Sequence, residues 1–215
     1  MTRRAGTTSE ETRHNLLLAA TEEFERNKFS DVSLRHICAQ AGVTTGALYF
    51  FFKNKDDLFA HVIQPLTDEV IEIVHGYAES EDEEIDFSNL QNHEELGIVR
   101  DVYTRFAENR QLGLIVVNNS THPAVIAFDE ELRRGIELYA HHVLNQHFDA
   151  AALPPAYGDD TFEWMCRLFA SGARVAVQYG TESDRAMRQV RVMSRFLLGG
   201  IKAISGMSTE ECAAV

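Results

Sequence analysis

Tyr49, Phe50, Phe51 and Phe52 form a run of four aromatics, with Lys53 and Lys55 directly behind and Thr44, Thr45 and Gly46 just ahead. On a helix that turns about 100° per residue, four adjacent aromatics cannot all face one core. With Leu48 pointing inward, Phe52 falls one turn later on the same side and Phe51 on its flank. Gly46, Phe50 and Lys53 then lie opposite, with Tyr49 at the edge of that outward face. Exposed aromatics beside cations need a partner, and phosphate is the partner that the lysines suit. A glycine on the same face lets the backbone come close to that partner. Nothing else in the chain offers reactive chemistry. There is no arrangement of nucleophile and base. The nine histidines include no pair four residues apart that would put two imidazoles on one helix face for a metal. Cys38, Cys166 and Cys212 are far apart and lack CxxC spacing, so neither a disulfide framework nor a zinc site is expected. We expect no enzyme, no cofactor and no metal.

The elements that must position these residues are helical. Only four prolines occur, no alternating strand pattern is present, and apolar residues recur at spacings of three and four. An all-α fold is expected. From Glu10 to Arg26, Leu16, Leu17, Ala20 and Phe24 form one apolar stripe. Ser33 is placed to N-cap a helix over "LRHICAQA", buried through Leu34, Ile37, Cys38 and Ala41, and Gly42 ends it. Thr44 or Thr45 opens the next helix after a turn of three or four residues, which is the spacing of a helix-turn-helix.

Charge is divided along the chain. The net charge is −13, yet residues 1–55 carry eight Lys+Arg against six Asp+Glu, while the remainder carries twelve against twenty-seven. A small segment that meets phosphate, followed by a larger acidic segment with another task, fits this asymmetry. No apolar run approaches the roughly 20 residues of a membrane span, and "MTRRAGTTSEETRH" has no apolar segment behind it to make a signal peptide. A cytoplasmic location without membrane association is expected.

The string "VSLRHICAQAGVTTGALYFFFKNKDDLF" resembles the amino-terminal domain of TetR-family transcriptional regulators, and the resemblance covers roughly residues 10 to 62. Lys28-Phe29 stands where Gly-Tyr is usual, Cys38 where alanine is usual, and Phe51 where a polar residue often contacts DNA. The resemblance implies a three-helix DNA-binding domain over 1–54 and a larger helical ligand-binding and dimerisation domain over 55–215. It also implies that Tyr49 donates its hydroxyl to a phosphate and that Lys53 and Lys55 neutralise phosphates. Ser33, Arg35, Thr44 and Thr45 sit at helix starts, where anions are favoured. Thr45, Gly46 and Phe50 are the residues expected near base edges, with Phe50 or a threonine methyl suited to a thymine methyl. Arg3 and Arg4 form a candidate arm.

Asn54 is placed to cap a helix from about Lys55 to Tyr77, interrupted by Pro65. Further helices are expected near 90–108, 110–120, 123–148, 159–179 and 182–205. "AESEDEEIDFSN" (78–89) and "LPPAYG" (153–158) read as loops. The last helix carries two apolar stripes, one through Val190, Ser194, Leu197 and Ile201, the other through Met193, Phe196 and Gly200. One stripe can pack within the subunit and the other on a second copy, in a four-helix bundle across a twofold axis. The interface is expected at Phe169, Ala173, Val190, Leu197 and Ile201. Polar residues set in apolar segments are candidates for binding a small-molecule inducer: Tyr103, Asn118, Asn119, His122, Trp164 and Arg167. The expected partners are therefore a pseudo-palindromic double-stranded DNA operator, an inducer and a second copy of the chain. Repression is the family's common outcome. An activator, or a helical protein-interaction module without an inducer, are the alternatives.

Overall fold

The computed structural model describes residues 8–80, 96–147 and 183–204, together with Trp164, Arg167, Leu168 and Gly172. The regular elements among them are helical. They are α1 (Ser9–Arg26), a 3-10 turn (Phe29–Asp31), α2 (Leu34–Ala41), α3 (Thr45–Phe51), α4 (Lys55–Glu79), α5 (Gly97–Glu108), α6 (Arg110–Asn118), α7 (Pro123–His147) and α8 (Ser183–Ile204). Trp164, Arg167, Leu168 and Gly172 also have helical backbone. Arg3, Arg4, most of 78–89, and 153–158 lie outside the described residues, as do the side chains of Phe169, Ala173 and Ile201.

Local chemistry sets the helix ends. Thr8 and Glu11 form a reciprocal capping box at the start of α1, each side chain bonding the other's backbone N–H at 3.2 Å. Gly42 closes α2 at φ +70°, and the Val43 N–H reaches back to the Cys38 carbonyl at 2.9 Å. Thr44 caps α3 by accepting from the Ala47 N–H, and Asn54 caps α4 by accepting from the Asp57 N–H at 2.8 Å. Two details depart from expectation. Ser33 occupies the N-cap position of α2, but its hydroxyl makes no capping bond. Helix α4 continues through Pro65 instead of being interrupted, since a proline removes one ladder bond and the neighbouring turns can carry the helix past it.

The chain divides into two compact units. The first is Met1–Thr67 with Gln111–Ile126, and the second is Asp68–Arg110 with Ala127–Val215. In the first, α1, α2 and α3 pack on one another, and Leu16, Phe24, Ile37, Leu48, Phe52, Leu58 and Phe59 are buried almost completely. Each such side chain contributes about 1.5–3 kcal/mol over remaining exposed.

In the second unit α5 packs on α8. The Leu96 N–H, just ahead of α5, donates to the Ser194 hydroxyl at 3.0 Å, and Ser194 is fully buried. That bond and the packing around it put Val190, Ser194, Leu197 and Leu198 inside their own chain. The expectation that Val190 and Leu197 face a second copy is therefore corrected: Leu197 is 8% exposed, while Val192 and Phe196 are 61% and 59% exposed. Of the two apolar stripes, the one through Val190 and Leu197 is taken by the chain's own core.

Leu197→Glu should consequently lower stability by several kcal/mol, because an unpaired carboxylate would be buried. Urea unfolding monitored by circular dichroism checks this; a fully stable but monomeric variant would contradict it. Gly42→Ala should cost about 1 kcal/mol in the same assay, as an L-residue is strained at positive φ, although a Cβ there would meet nothing within 4 Å.

Candidate nucleic-acid interface

The register of α3 is set from inside. Leu48 is completely buried and Phe52 nearly so, the latter with the Arg13 guanidinium 5.7 Å from its ring centroid. With these two fixed, the same helix turns Tyr49 and Phe50 outward, 55% and 78% exposed. Phe51 stands between the two environments, half-buried. Its ring packs edge-on against Phe50 with centroids 5.0 Å apart, and it leans on Phe52 at 6.3 Å. Phe50 is thus held in place by an aromatic neighbour, and its outer face stays bare. A Cβ on Gly46 would meet only the Thr44 hydroxyl, at 3.8 Å, so the outward face is open there.

Around this helix Thr44, Thr45, Ser33, Arg35 and Lys53 are all exposed. The uncommitted Ser33 hydroxyl sits at the start of α2. Thr45 also bonds the Cys38 thiol, an interaction that partly offsets the rise that burial imposes on the thiol's pKa. The Lys53 backbone N–H donates to the Asp57 carboxylate at 2.8 Å, which fixes the α3–α4 corner while the side chain stays in solvent.

Lys55 is placed differently from its neighbours. Its Nζ donates to the carbonyls of Phe29, Ser30 and Val32 at 2.7, 3.3 and 3.1 Å, and it lies 4.5 Å from the centroid of the Phe29 ring. An ammonium has three donors, and all three are used. Lys55 therefore ties the 29–32 loop to the start of α4 and is removed from the set of phosphate contacts.

The expected ligand residues are divided between the two units. Asn118, Asn119 and His122 belong to the first unit, whereas Tyr103, Trp164 and Arg167 belong to the second. Asn118 is exposed. Asn119 is buried and structural, accepting from the Phe29 N–H at 3.2 Å and donating to the Ile115 carbonyl at 2.8 Å. His122 is buried against Phe29 and Phe59. Tyr103 is buried, with its pKa pushed up to about 12 by burial, and donates its hydroxyl to the Gly172 carbonyl at 3.1 Å. Trp164 and Arg167 are exposed. Among the described residues, no group of acids, histidines and cysteines is arranged to hold a metal, and no helix is long and apolar enough to cross a membrane. Sequence reasoning missed Lys55 and Asn119 as structural ties. The one available hint was a polar turn ahead of Pro123.

Two short helices joined by Gly42–Thr44, with a buried inner face and a bare aromatic outer face on the second, constitute a helix-turn-helix domain. Residues 16–62 match the family described as "Bacterial regulatory proteins, tetR family". Over that segment the chain is similar to the amino-terminal domain of the TetR family. It is 40% identical over 62 residues to the HTH-type transcriptional regulator AcrR of Shigella flexneri, a stretch that is 29% of each protein. It is 41% identical over 61 residues to the HTH-type transcriptional repressor BepR of Brucella suis, covering 28% of this chain and 29% of that one. The matched segment thus spans less than a third of these relatives' length. In fold, the chain is similar to SmeT, the repressor of the Stenotrophomonas maltophilia multidrug efflux pump SmeDEF. The TM-score is 0.65 at 17% identity, over 89% of this chain and 91% of that one. A TetR-like transcriptional regulator from Rhodococcus sp. RHA1 gives 0.61 at 19% identity, over 92% of this chain and all of that one.

Replacing Lys55 by alanine should cost about 2 kcal/mol of stability, the scale of hydrogen bonds to a charged donor. Lys53→Ala should stay within about 0.5 kcal/mol, as an exposed site does. Chemical denaturation of the two variants side by side makes the comparison; equal losses would mean that Lys55 has no special structural role.

Proposed function

We propose that the chain is a DNA-binding transcriptional repressor that acts as a homodimer in the cytoplasm and leaves its operator when a small molecule binds the second unit. The observation that carries this reading is the outer face of α3, where Tyr49, Phe50 and the bare backbone at Gly46 project beside Lys53. The helix behind them is locked by Leu48 and Phe52. In this reading Tyr49 and Lys53 hold phosphates, assisted by Ser33, Arg35 and Thr44, and so fix position without reading sequence. Thr45, Gly46 and Phe50 approach base edges, with Phe50 well shaped for a thymine methyl. BepR and SmeT are named as repressors, which supports the sign of regulation. The relatives are regulators and not enzymes, so no catalytic step is assigned.

The homodimer is proposed through the outward stripe of α8, where Val192 and Phe196 are exposed and no atom lies within 4 Å of a Cβ built on Gly199 or Gly200. Two copies of the head then read a pseudo-palindromic site. The inducer is proposed to be small and largely apolar. Tyr103 remains a ligand candidate only if its hydroxyl leaves the Gly172 carbonyl, and Trp164 and Arg167 remain candidates by their exposure.

Selection of genomic fragments by the purified protein, followed by gel-shift titration, tests the reading. Specific binding that weakens as salt rises is expected, because lysine contacts release counterions. Tyr49→Phe should lose about 1 kcal/mol on every sequence alike, roughly a fivefold rise in Kd. Binding with no sequence preference, or none at low salt, would overturn the proposal. Phe196→Glu should yield a folded monomer with weakened DNA binding, as judged by light scattering; a folded dimer would place the interface elsewhere.

A further inference from the structure

Beside the Asn119 bond to the Phe29 N–H, one imidazole fastens the turn between α6 and α7 within the first unit. His122 is 7% exposed, with its ring centroid 4.5 Å from that of Phe29 and 4.1 Å from that of Phe59. Phe24 of α1 completes the cluster, at 5.9 Å from Phe29 and 5.0 Å from Phe59. His122 is also the residue before Pro123, the first residue of α7. Its Nδ1 lies 3.2 Å from the Ala124 backbone N, which can only donate. That donor fixes the tautomer: Nδ1 is the acceptor and the proton sits on Nε2. Nε2 lies 3.3 Å from the Asp56 carboxylate in the first turn of α4, near enough for attraction but out of line for a hydrogen bond. His122 thus serves as a side-chain N-cap of α7 that works only while Nδ1 carries no proton.

We propose that His122 is a proton-releasable latch: neutral, it caps α7 and holds the α6–α7 turn on the Phe29–Phe59 surface, and protonation at Nδ1 lets that turn go. Protonation replaces an acceptor with a donor aimed at the Ala124 N–H, so the cap bond becomes a repulsion. It also sets a positive charge at a helix N-terminus, where the dipole disfavours it. Charged groups on the neighbouring elements do not cancel this. Asp56 faces the imidazole but is largely exposed. Lys55, on the same turn, is spent on the Phe29, Ser30 and Val32 carbonyls. In the 3-10 turn, the Asp31 carboxylate accepts from the Ser30 hydroxyl. From α1 it is Phe24 that enters the cluster, and from the α6–α7 turn Asn119 binds the Phe29 N–H.

Burial pushes the His122 pKa below its ordinary value of 6.5, and Asp56 pulls it partly back. A folded-state pKa below the unfolded one means that the stabilisation is complete above about pH 6.5 and drains away as pH falls. The regulatory consequence, that acid loosens the α6–α7 turn within the first unit and hence alters DNA affinity, rests on the proposed function. The latch itself does not.

The test uses the full chain and His122→Asn, since asparagine is a good N-cap that cannot titrate here. NMR of 15N-labelled histidine in the wild type should find Nδ1 unprotonated and Nε2 protonated at pH 7.5, with titration below the ordinary histidine range. A protonated Nδ1 at that pH would overturn the latch without recourse to any variant. Between pH 7 and 5 the unfolding equilibrium should steepen in the wild type relative to His122→Asn, by up to about tenfold per pH unit, the limit for one proton. Parallel pH profiles would also overturn it. Gel shifts on one selected fragment at pH 7.5 and 5.5 then test the regulatory consequence. The affinity ratio should differ between wild type and variant, and equal ratios would sink regulation. Absence of DNA binding at both pH values would instead count against the proposed function, leaving the latch to the NMR and unfolding results.

Discussion

The insertion of Leu48 and Phe52 into the core of the first unit is the constraint on which the rest depends. They are four residues apart, so both fall on one side of α3, and fully burying two large apolar side chains fixes that helix against rotation by several kcal/mol. With rotation excluded, the outward direction of Gly46, Tyr49, Phe50 and Lys53 needs no further support. The positive φ of Gly42 and the Thr44 cap set where α3 begins. The Asn54 cap and the Asp57 bond to the Lys53 N–H set how the chain leaves it. The outward face is thereby held by side chains on the opposite side of the helix.

Polar ties act behind that surface. The 29–32 loop has its carbonyls collected by Lys55 and its Phe29 N–H taken by Asn119, while the Phe29 ring is sandwiched among Phe24, Phe59 and His122. Buried backbone polar groups without partners would destabilise this loop. Here the partners come from α4 and from the α6–α7 turn, some 25 and 90 residues further along the chain. Displacement of either would strip the loop of hydrogen bonds as well as of packing.

Features set by neighbours in sequence were legible in advance. The four aromatics could be sorted by their angle around α3, and Gly42, Thr44 and Asn54 announced helix ends through their own conformational preferences. Features set by distant partners were not. Lys55 has the same composition-level signature as Lys53, and only the arrival of the 29–32 carbonyls makes one structural and leaves the other in solvent. In α8 two apolar faces compete, and the sequence could not say which would meet α5. The Ser194 hydroxyl, bonded to the Leu96 N–H, marks the inner one. Ser33 had the right type for a capping bond and the right position, yet makes none. His122 and Asn119 were legible only as polar residues in an apolar setting, which suits a ligand pocket and a buried tie equally well.

The central claim, that one face of α3 is built to meet DNA while the opposite face holds the fold, is tested most directly by mapping. Backbone amide NMR of the labelled protein, titrated with a selected genomic fragment, would locate the contact residue by residue. The account predicts the largest shifts and new exchange protection at Thr45, Gly46, Tyr49, Phe50 and Lys53, with Leu48 and Phe52 little changed. Saturating DNA that shifted other surfaces and left these five unaffected would contradict it.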